Sequence, residues 1–434
     1  MTEGGIIDWA RGDTLGLDLP AHLQALSAGG PAFLTRAFRA TGALAGDNRV
    51  TEITRLEEWP YGGTGVKALL SVAYERDDPG LPCDLFVKLS RNFNERARDR
   101  ARFQMASEVR LANLSRSPAF PIAAPRCLYA DFNHASGAGL LITERIPYGQ
   151  GAVEPHHHKC MDQVLPEPLE HYRVLISTLA RLAGAHRSGR LGDVVERDFP
   201  LDLEKAAIDR FSPYDEEQLA LRVDRLADFI ARYPHLAPPR LADPAFLAGF
   251  RADAPLFVAQ QDAIARAYHS RPDMIALCHW NANIDNAWFW REPDGTLKCG
   301  LIDWGNVGQM PVTRAIWGCL GACELDLLDQ HLDELLDLFI AEYAQAGGPT
   351  LDRRELEQHL DLSQLMTLPG RMIAPRAILS EVPDPALAAD RHDPLFSVNE
   401  TARVQLKVLL NFLDLWRRRD LGRQLREGVW PGPA

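Results

Sequence analysis

Residues 277–290 read L-C-H-W-N-A-N-I-D-N-A-W-F-W, and residues 299–305 read C-G-L-I-D-W-G. Each stretch combines an apolar run with polar residues at one end, and an Asp-Gly pair lies between the two stretches. An Asp-Gly pair between β-forming segments is a strong signal for a β-hairpin. The spacing therefore predicts a hairpin with Asn286 and Asp303 near its open ends, facing the same cleft. An ordinary buried hairpin with two polar residues at its ends is the alternative.

The two side chains at the ends of this hairpin have the chemistry of magnesium ligands. An Asn carbonyl oxygen and an Asp carboxylate are hard oxygen donors, which Mg²⁺ prefers. Asn286 and Asp303 are therefore candidate ligands for a Mg²⁺ ion.

His279, Asn281 and Asn286 form the pattern H-x-N-x-x-x-x-N, and I-D-W-G follows with Asp303. These motifs resemble the H-x-D-x-x-x-x-N and I-D-x-G segments of the aminoglycoside phosphotransferases and related small-molecule kinases. The strand F-V-K-L also resembles the ecdysteroid-kinase-like branch of that superfamily. The resemblance covers roughly residues 50 to 320. It implies an α+β, protein-kinase-like two-lobed fold with a β-rich N-lobe and an α-helical C-lobe, and ATP and Mg²⁺ as cofactors bound between the lobes.

Three features of the N-terminal half agree with this resemblance. Gly62, Gly63 and Gly65 lie between two predicted strands, where glycines let the backbone approach phosphate oxygens. A plain glycine-rich hairpin turn is the alternative. Lys88 lies in an apolar strand, where an unpaired charge is costly to bury, and the resemblance implies that it holds the α- and β-phosphates. The resemblance also implies that Glu108, on the following helix, pairs with Lys88.

A connection between the lobes is implied in the same way. Glu144 and Ile146 lie at the end of a predicted strand, at the point where family members bind adenine through backbone groups. Since any residue type supplies a backbone carbonyl, the side chains at these positions do not test this assignment.

Asn281 occupies the position at which the family has its catalytic aspartate. The resemblance implies that this residue orients the acceptor hydroxyl, and that His279 belongs to the same catalytic segment. An Asn side chain can orient a hydroxyl but cannot accept its proton at neutral pH, and general-base assistance is worth about 10² to 10⁴ in rate. Asp285 is the nearest carboxylate in sequence that could replace it, although an acceptor for local backbone amides is its plainer role.

Three functions are compatible with this segment. The first is an ATP- and Mg²⁺-dependent phosphotransferase that acts on a small-molecule acceptor, through a hydroxyl or a carboxylate. The second is a nucleotide-binding pseudokinase that works as a scaffold or sensor. The third is another ATP-dependent transfer, such as nucleotidyl transfer. We favour the active transferase, because the candidate metal and phosphate ligands are otherwise all present.

The composition limits the partners and the compartment. The chain has 434 residues and a formal net charge of −12, which argues against nucleic acid as its main partner because phosphate backbones bind clustered Lys and Arg. We interpret the basic cluster between Arg417 and Arg426 as a solvated face. No stretch of about 18 apolar residues predicts a membrane span, and the N-terminus lacks a signal-peptide pattern. We therefore expect a cytoplasmic protein with a small molecule as its substrate.

The hydrophobic pattern divides the chain into three parts. Residues 1–47 predict a helical N-terminal extension, because residues 19–44 show an amphipathic pattern. Residues 48–146 predict the N-lobe, with a nucleotide-binding sheet and one helix that follows its third strand. Residues 147–434 predict a helical C-lobe that contains the catalytic and metal-binding segment 277–305.

Overall fold

The computed structural model describes residues 6–60, 63–201 and 212–430. The chain forms two compact units, of which the first is built around a β-sheet and the second is mainly helical. The first unit comprises Met1–Pro155, Leu191–Phe199 and Gly300–Gly308, and the second comprises His156–Arg190, Pro200–Cys299 and Gln309–Ala434.

In the residues that the structure describes, the strands form one large sheet and three two-stranded ribbons. The strands are β1 (Trp9–Arg11), β2 (Asp18–Pro20), β3 (Val50–Trp59), β4 (Val66–Tyr74), β5 (Asp84–Leu89), β6 (Cys127–Asn133), β7 (Ala138–Glu144), β8 (Ile275–Cys278), β9 (Ala287–Arg291), β10 (Leu297–Leu301) and β11 (Gly308–Pro311). The ribbons pair β1 with β2, β9 with β10 and β8 with β11. The Asp-Gly hairpin expected between residues 287 and 301 is therefore present as β9 and β10.

The helices fill most of the second half of the chain. They are α1 (Leu23–Ala40), α2 (Arg96–Arg100), α3 (Met105–Leu114), α4 (Pro168–Arg187), α5 (Val194–Asp198), α6 (Glu216–Arg232), α7 (Pro244–Asp253), α8 (Phe257–Tyr268), α9 (Val312–Leu320), α10 (Leu325–Gln345), α11 (Arg353–Arg371), α12 (Ala374–Glu381), α13 (Pro394–Ser397), α14 (Glu400–Arg418) and α15 (Leu421–Glu427). Local sequence explains several starts; α6, for example, begins with a capping box between Asp215 and Gln218. None of the helices in the described part of the chain has both the length and the apolar character needed to cross a membrane.

A five-stranded antiparallel sheet forms the first unit, in the order β3-β4-β5-β7-β6. In β5, Leu85, Val87 and Leu89 are buried in the core on one face of the sheet. Phe86 and Lys88 alternate with them and therefore lie on the opposite face. This alternation explains how an apolar strand can carry a charged residue without placing it in the core.

Helix α3 covers the face of the sheet that carries Lys88. Lys88 pairs with Leu141 of β7, and residues directly opposite each other in an antiparallel pair share a face. Leu141 packs in a small apolar cluster with Met105 and Val109 of α3. The helix that follows the third strand of the sheet is therefore on the same side as Lys88, and it carries Glu108.

A two-stranded ribbon precedes α1, whereas the sequence predicted only helix for residues 1–47. Asp131, a buried residue of β6, accepts backbone N–H bonds from Thr14 at 3.0 Å and from Leu15 at 2.9 Å. A Cβ atom at Gly12 would lie 2.0 Å from Asp131 Oδ2, so the ribbon needs glycine there. The ribbon depends on this contact with a distant residue, which leaves no periodic signal in the sequence.

The second unit is organised around one large apolar cluster. Helices α6, α7, α8, α11, α12, α14 and α15 all contribute buried residues to it. Helix α14 lies in its middle, with Leu406, Leu409, Phe412 and Leu413 almost completely buried. The C-terminal hundred or so residues, for which the sequence offered no motif, are therefore part of the core of this unit.

The basic cluster in the last two helices differs from the solvated face that we predicted. Arg419 Nε lies 2.8 Å from Asp361 Oδ1, and Asp361 is buried in α11. Arg418 pairs with Asp329 at 2.9 Å. At these positions the arginines neutralise acids of neighbouring helices, and they are structural rather than free to bind an external anion.

The α+β fold class is confirmed, with a β-rich N-terminal part and a helical C-terminal part. One difference concerns the segment 277–305, which we had predicted to belong entirely to the helical part. The structure divides it, because Gly300–Gly308 belongs to the first unit. Asp303 therefore lies in the same unit as Lys88.

Candidate functional site

Lys88 lies at the centre of a charged cluster in the first unit. Its Nζ atom donates to Glu108 Oε1 at 2.6 Å and to Asp303 Oδ1 at 3.0 Å. The side chains of Lys88 and Glu108 are largely buried, whereas 51% of the Asp303 side chain is exposed. Burial alone would lower the pKa of Lys88, but the two carboxylates outweigh it and raise that pKa above its ordinary value. The ammonium group is therefore charged at neutral pH.

Asp303 has a backbone conformation that few residues other than glycine adopt. Its φ angle is 60°, in the left-handed region. The segment before it is held by the Leu301 N–H, which donates to the Ala123 carbonyl at 3.1 Å. The indole N–H of Trp304 donates to the Leu301 carbonyl at 2.9 Å. These bonds fix the turn that directs the Asp303 carboxylate towards Lys88, and residues held in this region are typical of functional sites.

In the second unit, β8 leads into the loop that carries His279, Asn281 and Asn286. His279 is buried, and its Nδ1 atom accepts the backbone N–H of Asn281 at 3.1 Å. Asn286 Nδ2 donates to the backbone carbonyl of Asn281 at 2.8 Å. Two predicted site residues thus hold the backbone of the third. Because Nδ2 of Asn286 faces the Asn281 backbone, its Oδ1 points away from that backbone. Oδ1 is the atom of Asn286 that could bind a cation.

The Asn281 side chain is held by a residue that the sequence motif does not include. Asn283 is buried, and its Nδ2 donates to Asn281 Oδ1. Since Oδ1 of Asn281 faces Asn283, the Nδ2 group of Asn281 faces away from it. An amide N–H can bind an oxygen of a substrate but cannot remove a proton. The sequence analysis missed Asn283, although its spacing in N-A-N-I-D-N was visible.

Asp285 lies in the turn between this loop and β9. Burial raises the pKa of its carboxyl above the ordinary value. Lys159 Nζ lies 3.9 Å from Asp285 Oδ2, and the Asp285 backbone carbonyl contacts His156 Nε2 at 2.9 Å. Its Oδ1 has no hydrogen-bond partner among the residues that the structure describes. Asp285 is thus oriented towards the segment around Lys159, and a role as base at Asn281 stays a prediction.

Two further elements support the loop and carry no sequence motif. A Cβ atom at Gly318 of α9 would lie 1.8 Å from the Trp280 carbonyl oxygen, so the loop packs directly on this glycine. The Arg314 guanidinium lies 5.9 Å from the centre of the Trp280 ring. His186 Nδ1 of α4 accepts the Leu277 N–H at 3.0 Å. The sequence analysis missed these supports, and a glycine inside a helical pattern was the only available signal.

The glycine-rich turn before β4 is described from Gly63 onwards, and Gly62 lies outside the described residues. Gly65 has a φ angle of 56°, and a Cβ atom there would lie 2.1 Å from the Leu89 carbonyl oxygen. A Cβ atom at Gly63 would meet nothing within 4 Å. Gly65 is therefore required for packing against β5, whereas Gly63 leaves space for a ligand to approach the backbone.

The predicted adenine-binding segment follows β7. Glu144 Oε1 accepts the Arg126 N–H at 2.8 Å, and the Ile146 carbonyl accepts the Tyr148 N–H at 3.0 Å. No partner of the Ile146 N–H occurs among the described residues. Ile146 rather than Glu144 therefore offers a backbone donor to a ligand.

The structure brings together three of the predicted site residues, Lys88, Glu108 and Asp303. Asn286 belongs to the second unit with His279 and Asn281, so its convergence with Asp303 on one cation stays a prediction. The donor set fits Mg²⁺, because a carboxylate and an amide oxygen are both hard ligands.

Solved structures that match the chain include several small-molecule kinases. A microcompartment-associated aminopropanol kinase is 13% identical, with 92% of this chain and 99% of that chain covered and a TM-score of 0.40. Choline kinase from Cryptosporidium parvum is 12% identical, with 85% and 91% covered and a TM-score of 0.40. The GDP complex of aminoglycoside 2'-phosphotransferase-IIIa is 12% identical, with 84% and 93% covered and a TM-score of 0.37. No protein-family model matches the chain, and no curated protein sequence does.

Proposed function

We propose that the chain is an ATP- and Mg²⁺-dependent phosphotransferase that acts on a small-molecule acceptor through a hydroxyl or a carboxylate. The cluster of Lys88 with Glu108 and Asp303 is the observation that carries this proposal. A largely buried ion pair is weak support for a purely structural role, since apolar residues often stabilise such positions as well or better. The exposed carboxylate of Asp303 and its left-handed backbone point to a ligand instead.

Each member of the cluster has a role that follows from its charge. Lys88 binds oxygens of the α- and β-phosphates, and Glu108 holds the ammonium group in place for this contact. Asp303 would supply a carboxylate ligand to Mg²⁺, and Asn286, if it converges on the same ion, would supply an amide oxygen. When bound, Mg²⁺ neutralises negative charge on the phosphates and on the group being transferred.

The sheet face that carries Lys88 has a suitable surface for the nucleotide base. Leu69 of β4 pairs with Phe86 of β5, two residues along from Lys88 in the strand. Two residues span about 7 Å along a strand, so an apolar pair lies one step away from the phosphate-binding charge. Leu69 is buried and Phe86 is half-buried, so the base would contact Phe86, and the Ile146 N–H is available to hydrogen-bond its edge.

Asn281 positions the acceptor rather than deprotonating it. Its Nδ2 group can donate a hydrogen bond to an acceptor oxygen, and the bond from Asn283 fixes its orientation. Loss of a general base costs about 10² to 10⁴ in rate for a hydroxyl acceptor. A carboxylate acceptor is already ionised at neutral pH and needs no base, so the site is better suited to it than the usual aspartate site would be.

The bond between Asn283 and Asn281 also favours a second candidate, a nucleotide-binding pseudokinase. It uses one of the two lone pairs of Asn281 Oδ1, the atom at which a catalytic aspartate would accept the proton. In this candidate the Lys88 cluster binds ATP·Mg²⁺ and no transfer follows, so that the bound nucleotide serves a scaffold or sensor.

Incubation of the protein with ATP, Mg²⁺ and a metabolite extract tests the two candidates. For the transferase, mass spectrometry should detect a metabolite that gains one phosphoryl group, and the Lys88→Met variant should not form it. Repeating the reaction without Mg²⁺ gives a second control. If the protein binds ATP·Mg²⁺ but no extract fraction consumes it, the transferase proposal fails and the pseudokinase stands. A metabolite that gains a nucleotidyl group would contradict both.

A further inference from the structure

Lys67 is a second lysine on the sheet face that carries Lys88. The antiparallel register of β4 and β5 places Lys67 directly opposite Lys88. Side chains of directly opposite residues lie on the same face, with Cβ atoms about 4.5–5.5 Å apart. On the other face, Val66 and Ala68 pack against the core of the first unit. Lys67 therefore points to the same side as the cluster formed by Lys88, Glu108 and Asp303.

The two lysines differ in how their charges are balanced. Lys88 contacts two carboxylates, at 2.6 Å and 3.0 Å. No carboxylate of the described residues lies within 4.0 Å of Lys67 Nζ, although the side chain is half-buried. Like charges directly opposite each other in a sheet are destabilising. Among the residues that the structure describes, Lys67 thus has no carboxylate within ion-pair distance, at a position where stability alone would select a neutral residue.

The pKa of Lys67 agrees with an unfavourable interaction between the two lysines. Burial is the main cause that lowers its pKa, and the positive charge of Lys88 lowers it further. The carboxylates of Asp303 and Glu108 act in the opposite direction but only partly compensate. A polyanionic ligand bound over this face of the sheet would reduce the repulsion, because both ammonium groups could share its oxygens.

The turn that precedes β4 lies at the same end of the strand. Gly65 is packed against the Leu89 carbonyl, one position after Lys88. The backbone before Lys67 is therefore anchored to β5, and the open space at Gly63 lies in that same turn. A side-chain cation near this turn would add positive charge to the partial charges of its backbone N–H groups.

We propose that Lys67 is a second phosphate-binding residue, whose ammonium group contacts the polyphosphate chain of a nucleoside di- or triphosphate beside Lys88. This inference rests on the proposed nucleotide-binding function and adds to it a residue outside the sequence motifs. The two carboxylates that contact Lys88 exceed its charge by one, so Lys67 supplies the second positive charge beside the phosphates. The role is one of binding, and Lys67 takes no part in proton transfer.

Calorimetric titrations of the Lys67→Met variant with ATP·Mg²⁺ and with adenosine test this inference. Loss of a charge-assisted contact should weaken ATP·Mg²⁺ binding by about tenfold to a hundredfold. Adenosine has no phosphate, so its affinity should not change. Lys67→Arg keeps the charge and should stay within a few-fold of the wild type. Lys298→Met, a matched change in β10, should bind ATP·Mg²⁺ like the wild type.

A thermal melt of the ligand-free proteins separates a binding role from a structural one. Because Lys67→Met removes a like-charge contact, its melting temperature should not fall below that of the wild type. A variant that binds ATP·Mg²⁺ as tightly as the wild type, or that loses adenosine and ATP affinity equally, would overturn the inference. If Lys67→Met does not fold, Lys67→Gln carries the same test. Absence of ATP·Mg²⁺ binding by the wild type would instead overturn the proposed function itself.

Discussion

Lys88 and Asp303 are 215 positions apart in the chain, yet Lys88 Nζ lies 3.0 Å from Asp303 Oδ1. One residue has the role of a phosphate-binding lysine and the other that of a metal-binding carboxylate in the proposed function. In the ligand-free protein they neutralise each other, which keeps both charges in place. Binding of a nucleotide with its cation would divide this pair, because the lysine turns to the phosphates and the carboxylate to the metal.

Replacement of Asn281 by Asp should restore a general base. The Asn283 amide, which donates to Asn281 Oδ1, could donate equally well to a carboxylate oxygen at the same place. We expect the Asn281→Asp variant to transfer phosphate to a hydroxyl acceptor faster than the wild type, by up to about 10² to 10⁴. Initial rates with a panel of alcohols and carboxylates measure this. A slower native reaction in the variant would show that the neutral Asn281 is required. This outcome is expected for a carboxylate acceptor, because the carboxylate introduced at position 281 would repel it.

Gly318→Ala should impair turnover without removing nucleotide binding. The added Cβ atom would lie 1.8 Å from the Trp280 carbonyl, so the loop with Asn281 must shift. A misplacement of about 1 Å can cost about 10² in rate. Gly249→Ala in α7 is the matched control, because a Cβ atom there meets nothing within 4 Å; it should keep full activity and gain up to about 1 kcal/mol in stability. Equal activities of the two variants would argue against a role of Gly318 in positioning the loop.

Arg419→Ala should destabilise the second unit strongly. The substitution would leave the buried Asp361 carboxylate without the guanidinium that lies 2.8 Å away. Breaking a buried ion pair costs about 3–5 kcal/mol. Because Arg419 is partly exposed and screened by solvent, we expect a loss of stability at the lower end of that range. Arg423→Ala removes an exposed pair with Asp420 and should cost about 1 kcal/mol or less. Urea unfolding measures both. Similar losses for the two variants would contradict the distinction between a buried and an exposed arginine.

His359 should make stability depend on pH below neutrality. Its ring is buried between Thr313 Oγ1 at 2.9 Å and the Tyr268 carbonyl at 2.8 Å. Burial lowers the pKa of His359 to about 4. The unfolded chain, with a pKa near 6.5, therefore binds more protons between pH 4 and 6.5, and stability falls as the pH decreases through this window. Between pH 7 and pH 5, His359 should lower the free energy of unfolding by about 2 kcal/mol. Urea unfolding of the His359→Gln variant should therefore show a smaller loss of stability over that interval than the wild type does.

Sequence reasoning located the charged cluster because its members lie in local motifs. Lys88 in an apolar strand, Glu108 on the next helix and Asp303 in I-D-W-G each have a recognisable neighbourhood, and chain order then linked them. The hairpin of β9 and β10 was predictable for the same reason, since an Asp-Gly turn acts over a few residues.

The features that sequence reasoning missed depend on register or on distant packing. Lys67 belongs to no sequence motif, and only its pairing with Lys88 shows that the two cations share a face. Gly318 and Asp131 act through backbone groups that lie far away in the chain. The solvated face predicted for the basic cluster fits the exposed Arg423 but not Arg418 and Arg419, because the acids that neutralise these two come from other helices.

Calorimetric titration of ATP into the wild-type protein and the Asp303→Ala variant, each with and without Mg²⁺, tests the central claim most directly. The account predicts that the wild type binds ATP more tightly with Mg²⁺, and that Asp303→Ala loses this Mg²⁺-dependent gain. The exposed Asp333, replaced by Ala, is the control and should behave like the wild type. Wild-type protein that does not bind ATP, or an Asp303→Ala variant that keeps the full Mg²⁺-dependent affinity, would contradict the assignment of this cluster as a nucleotide site.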